Sequence, residues 1–119
     1  MTRQREAALR LKLADQRPAA MSGHDRARAR SLAYHAAIAG RLDKPMADEA
    51  RHVLLRWREQ RRIDPSYAER WERVLDQPIG EIRKSLIEES AAGDDLRQNS
   101  PFAGLLSEPE RRRILSEVA

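Results

Sequence analysis

The sequence predicts an all-α protein: a compact bundle of four to five short helices with an N-terminal helical arm. Three observations carry that prediction. Ala, Arg, Leu and Glu dominate the 119 residues, and these are strong helix formers. Apolar residues recur at helical spacing rather than in alternation. The chain has only 5 glycines and five aromatics (Tyr34, Trp57, Tyr67, Trp71 and Phe102), too few for the aromatic strands and glycine turns of a sandwich or barrel. The length fits one domain able to bury a core without a staple. The absence of cysteine removes disulfides, thiolate metal sites and cysteine nucleophiles together.

Residues 1–21 read as a loosely attached arm. Its helical stretch is poorly amphipathic, with Leu9 and Leu13 on one face and Leu11 on another, and Pro18 breaks it. Met21 would serve as an alternative start. The folded domain, 22–119, opens at Ser22, whose spacing to Asp25 is that of a capping box. The first core helix then runs to about Ala39. Leu32, His35, Ala36, Ala39 and Leu42 form its stripe, and Gly40 follows as a stop. Asp43 and Pro45 open a second helix with Met46, Ala50, Val53, Leu54 and Trp57 on one side and Arg51, Arg58 and Arg62 on the other. Asp64-Pro65 opens a third, with Tyr67, Trp71, Val74 and Leu75 inward, interrupted at Gln77-Pro78. A fourth runs to about Ser90 on Ile79, Ile82 and Leu86. Gly93-Asp94-Asp95 is expected to end it, and Ser100–Gly104 to form a structured turn with Phe102 as a core plug. Ser107-Glu108-Pro109-Glu110 is a full capping box for the last helix, with Ile114, Leu115 and Val118 buried.

Charge is divided unequally. Residues 1–62 hold 15 Lys/Arg against 7 Asp/Glu, and residues 63–119 hold 8 against 12. A basic half attracts phosphates, but it also attracts the acidic half of the same molecule. No apolar run is long enough to span a membrane, and the charged start lacks the apolar region of a signal peptide. A cytoplasmic protein without a membrane partner is the expectation.

No enzymatic constellation emerges from the residue order. G-x-S-x-G, P-loop, H-E-x-x-H and EF-hand patterns are all missing. Glu49 and His52 have the spacing of one half of a di-iron motif, without its second copy. His35, on an apolar stripe, reads as a hydrogen-bonded core or boundary histidine. We therefore expect a non-enzymatic protein without a cofactor or metal. The leading expectation is a protein-binding module whose partner surface includes Leu55, Glu88, Glu89, Asp94, Asp95, Arg97 and Phe102. The alternative is a DNA-binding regulator that contacts the phosphate backbone through Arg51, Arg58 and Arg62. Asn and Gln are nearly absent from the basic helices, and no aromatic platform for single strands is visible in the sequence. A homo-oligomer is compatible with either.

The order His35-Ala36-Ala37-Ile38-Ala39, Ala50-Arg51 with Leu54-Leu55-Arg56-Trp57, Trp71-Glu72-Arg73-Val74-Leu75-Asp76, and then Leu96-Arg97-Gln98-Asn99-Ser100-Pro101-Phe102-Ala103-Gly104 with Arg111 and Ile114 resembles a group of small uncharacterised bacterial proteins sharing a Leu-Arg-Gln-x-Ser-Pro-Phe tract. The resemblance spans roughly Arg28 to Val118 and leaves out the arm. It implies an antitoxin-like or accessory partner of a toxin–antitoxin pair, binding a toxin encoded nearby, and it assigns no site residues. Read physically, the tract is a stiffened turn: Asn99 or Ser100 caps it, Pro101 restricts it, Phe102 anchors it and Arg97 reaches a carboxylate or carbonyl.

Overall fold

The computed structural model describes residues 22–118; the expected arm, with Met21 and Arg3, Arg5, Arg10, Lys12 and Arg17, lies outside them. The described chain is all-helical, with no strand among these residues. Six helices follow in order: α1 (Gly23–Arg41), α2 (Lys44–Glu59), α3 (Pro65–Leu75), α4 (Ile79–Leu86), α5 (Ala91–Arg97) and α6 (Glu108–Val118), with a 3-10 turn at Ala103–Leu105 before the last. Helix α1 is the common wall, in contact with α4, α5 and α6, while α2 packs on α3.

Four helix starts are as the sequence reads them. Ser22 Oγ accepts the Asp25 N–H at 3.0 Å. Asp43 accepts the Met46 N–H at 2.9 Å, and Asp64 accepts the Ser66 N–H at 2.8 Å. Ser107 and Glu110 close a reciprocal box at 3.2 and 2.8 Å. Each bond satisfies an amide that the first helical turn leaves without a partner.

The helix ends differ from expectation. Helix α1 runs through Gly40 to Arg41, with no glycine in the left-handed region. Helix α4 stops at Leu86 rather than Ser90, and Ser90 instead caps a further helix, accepting the Gly93 N–H at 2.9 Å. The bundle thus has one helix more than four to five. Gly93, read as a terminator, sits inside α5 and is buried, because the Glu88 carbonyl crosses where its side chain would stand. Only a residue without Cβ lets the two backbones approach so closely.

Helix α2 ends in a Schellman arrangement. The Arg62 N–H donates to the Trp57 carbonyl at 2.8 Å, and the Arg61 N–H to the Arg58 carbonyl at 3.1 Å. The left-handed position that this motif normally gives to glycine is held by Arg61, with φ 55°. A side chain there costs about 1 kcal/mol or more.

The core is Ile38, Leu42, Leu54, Trp71, Leu75, Ile82, Leu86 and Phe102, with smaller contributions from Ala47, Ala50 and Ala68. Two stripes are rotated from expectation. In α1, Ile38 is buried and Ala36 exposed; in α2, Ala47, Ala50 and Leu54 are buried, and Met46, Val53 and Trp57 are only half covered. Ile114 is buried and Leu115 half-buried, while the side chain of Val118 lies outside the described residues.

Gly93→Ala separates local propensity from packing. Helix propensity alone favours alanine by about 1 kcal/mol, but the new Cβ meets the Glu88 oxygen at 2.2 Å. We expect net destabilisation on the order of 2 kcal/mol, read as a lowered urea midpoint with an unchanged denaturant slope; a raised midpoint would contradict this packing.

Candidate functional site

The residues proposed from sequence divide into those turned inward and those left outside. Arg97, expected at a binding edge, is 3 % exposed, and Phe102 is fully buried. The tract they share is an internal clasp. Arg97 donates to the Leu86 carbonyl at 3.1 Å and to Asp94 at 2.7 Å, while its Nε is buried without a hydrogen-bond partner. Phe102 packs on Trp71, their ring centroids 5.8 Å apart. The Trp71 indole N–H donates to the Leu96 carbonyl at 3.2 Å.

Sequence reasoning did not pair Ser100 with His35. Both are buried, and His35 Nε2 lies 2.7 Å from Ser100 Oγ. His35 Nδ1 lies 2.7 Å from the Ser31 carbonyl. A carbonyl only accepts, so Nδ1 carries the proton and Nε2 accepts from the serine hydroxyl. Ser100 Oγ also accepts the Phe102 N–H at 3.0 Å. Serine beside histidine is a nucleophile–base pairing, but here every bond serves the tract: the hydroxyl's proton goes to His35, and its oxygen holds the turn. Burial, with the Arg97 charge as a smaller cause, pushes the His35 pKa down to about 4. The sequence signal was present, a histidine on an apolar stripe; its partner 65 positions away was not.

The acidic candidates are also largely committed. Asp94 pairs with Arg97 and, at 4.0 Å, with Arg28. Asp95 accepts the Tyr67 hydroxyl at 2.7 Å and approaches Arg70 at 3.5 Å. Glu88 accepts from Ser90 Oγ. Glu89 is exposed, and so, beside it, is Ile87.

The three arginines of the alternative reading are not a common outer face. Arg51 donates to the Leu75 carbonyl at the end of α3 and to Asp48. Arg58 pairs with Glu72 of α3. Arg58 and Arg62 are both exposed, but only Arg62, beyond the end of α2, has no carboxylate or carbonyl of α3 on its guanidinium. Helix α2 therefore turns much of its expected basic side onto α3.

Among the described residues Leu55 is the most exposed large apolar side chain, at 55 %. It borders a hollow of about 220 Å³ between α2 and α3, floored by Leu54 and Leu75 and flanked by Arg51, Glu72 and Asp76. Glu49 and His52 are both exposed on α2, and among the described residues no group of three or more His, Cys, Asp or Glu is placed to hold a metal ion. Nor is any described helix long and apolar enough to cross a membrane. No protein-family model, curated protein or solved structure matches the chain.

The His35 clasp sets a pH dependence with a definite sign. Its pKa is lowered on folding, from 6.5 to about 4, so its stabilising effect is complete above pH 6.5 and is lost as pH falls through 4. The loss is on the order of 3 kcal/mol. Glu110, held down from 4.5 to about 2 chiefly by its hydrogen bond from Arg41, adds a loss that sets in as pH falls to 4.5 and is complete below 2. In urea titrations at a series of pH values, wild-type stability is expected to decline throughout the range from pH 6.5 to 4, whereas His35→Gln is weaker at neutral pH and declines only at the acid end of that window, where the carboxylates begin to titrate. Parallel pH curves for the two proteins would disprove the assignment.

Proposed function

We propose that this chain is a non-enzymatic protein-binding module, an antitoxin-like or regulatory partner that binds and masks another bacterial protein. The observation that carries the reading is the Leu55 surface: an exposed leucine beside an apolar hollow, with charges of both signs around it. That is the anatomy of an interface centre, apolar in the middle and polar at the rim. The contact has Leu55 inserting into an apolar recess of the partner while one partner side chain fills the hollow over Leu54 and Leu75. Arg51, Glu72 and Asp76 at its border select register and orientation more than affinity.

A second contact falls at the α4–α5 turn, where Ile87 and Glu89 are exposed. It replaces the broader acidic patch expected from Glu88, Glu89, Asp94 and Asp95, since Asp94 and Asp95 already hold Arg97, Tyr67 and Arg70. Arg97 and Phe102 support the domain from inside and take no part in docking. The alternative, a DNA-backbone regulator using Arg51, Arg58 and Arg62, is less favoured because two of those guanidinium groups are committed to α3.

The test is capture of a stoichiometric protein partner on the full chain, compared with Leu55→Arg and Ile87→Arg. Each substitution changes an exposed residue and is expected to leave the fold intact. Loss of one central contact of this kind weakens binding by about 2 kcal/mol, roughly thirtyfold. Retention through moderate salt and loss in Leu55→Arg support the proposal. Equal capture by wild type and both variants, or retention of nucleic acid alone that falls steeply with salt, overturns it.

A further inference from the structure

A second surface, separate from the Leu55 hollow, is built around the turn between α2 and α3. Two open hollows adjoin there and share Arg62. One, of about 350 Å³, has Trp57, Gln98 and Asn99 in its lining. The other, of about 670 Å³, is bordered by Arg58, Arg61 and Arg62, with Asp64 opposing them. Asp64 is occupied as the α3 cap, and Arg58 is shared with Glu72. Among the described residues the Arg61 guanidinium has no partner, and that of Arg62 has only a long contact of 3.4 Å with Gln60. Arg97, buried behind them, is also in the lining of the first hollow.

Three features distinguish this place from an ordinary solvated arginine cluster. The first is strain: Arg61 occupies the left-handed position of a Schellman turn, where glycine fits better, and so keeps a cation on this rim at a cost to the fold. The second is chemistry brought together across the chain. Trp57 from α2 offers part of an aromatic face; from about forty residues later Gln98 offers an amide edge that both donates and accepts, and Asn99, whose Nδ2 makes a long 3.4 Å contact with the Asp95 carbonyl, offers its amide oxygen. The third is adjacency: the hollow with the flat groups and the cationic hollow share Arg62 and Ile63 in their linings.

We propose that the α2–α3 turn binds a nucleoside phosphate, either free or as one unit of a single-stranded nucleic acid. The base lies against Trp57, with its polar edge on Gln98 and Asn99. The phosphate lies between Arg61 and Arg62. Stacking is tolerant of base identity, whereas the amides give an edge preference. Duplex nucleic acid does not fit, because its bases are not free to reach the Trp57 hollow. The site is independent of the Leu55 interface, so either assignment can fail alone.

The experiment uses the full chain with three probes: ATP, a single-stranded oligonucleotide of about 12 nucleotides, and inorganic phosphate. Quenching of tryptophan fluorescence reads the site directly, since Trp71 is fully buried and Trp57 is not. Arg61→Gly relieves the backbone strain, so its unfolding midpoint should equal or exceed that of wild type while affinity for ATP or the oligonucleotide falls about tenfold or more. Gln98→Ala should weaken the same probes and leave the response to phosphate unchanged. Whichever of ATP and the oligonucleotide binds identifies the source of the nucleotide. The proposal is overturned if neither binds at millimolar concentration, if Arg61→Gly binds as tightly as wild type, or if phosphate alone binds as well as ATP.

Discussion

The structure depends on one constraint: its helices are short, and the carbonyls at their C-terminal ends need donors. A helix leaves its last carbonyls unbonded, and a glycine turn is the common remedy. This chain places no glycine in the left-handed region among its described residues. Side chains from other elements supply the donors instead. Arg51 bonds the Leu75 carbonyl, Arg83 the Leu42 carbonyl at 2.8 Å, Arg97 the Leu86 carbonyl and Trp71 the Leu96 carbonyl. A cation at that end is also favoured by the helix dipole. Each bond joins two elements, so termination and tertiary packing are the same event. Arg70 and Arg111 tie elements together in the same way through carbonyls that are not at a helix end, Ala92 in the first turn of α5 and Ala103 at the start of the 3-10 turn.

This gives five of the twenty arginines a structural task without a ligand. Helices α4 and α5, of 8 and 7 residues, are too short to persist alone. Arg97 spans the turn between them, and the Ser100–His35 pair ties the following turn to α1. The interior polar groups are thus those whose loss detaches an element, and chemically suggestive neighbours such as serine and histidine are spent on closure. What remains for recognition lies outside: Leu55 on α2, Ile87 at the α4–α5 turn, and the arginines past the end of α2.

The amphipathic spacing of Trp71, Leu75, Ile82 and Leu86 and the Asp-Pro and Ser-x-x-Glu starts were legible in the sequence, because caps and periodicity act over three or four residues. Gly93 was misread for an equally physical reason. Glycine beside Asp-Asp is a local stop signal, and only the crossing of the Glu88 carbonyl gives it a different task. The α2 arginines were misread likewise. Periodicity puts Arg51 and Arg58 opposite the apolar stripe, but Ala47 and Ala50 let α3 lie close on a rotated face, within reach of both guanidinium groups. Trp57, Gln98 and Asn99 could not be read as neighbours, since they come from segments some forty residues apart.

The sequence by itself determined the helical class, every helix start except that of α5, and the apolar side chains available for burial, since propensity, capping and hydrophobic spacing are short-range properties. Tertiary structure alone decided which polar groups were consumed and which remained outside. Burial, pairing and the partner of a given arginine are set by distances between elements that no local pattern encodes. The same guanidinium is an internal cap at Arg97 and a free surface cation at Arg61 for that reason only.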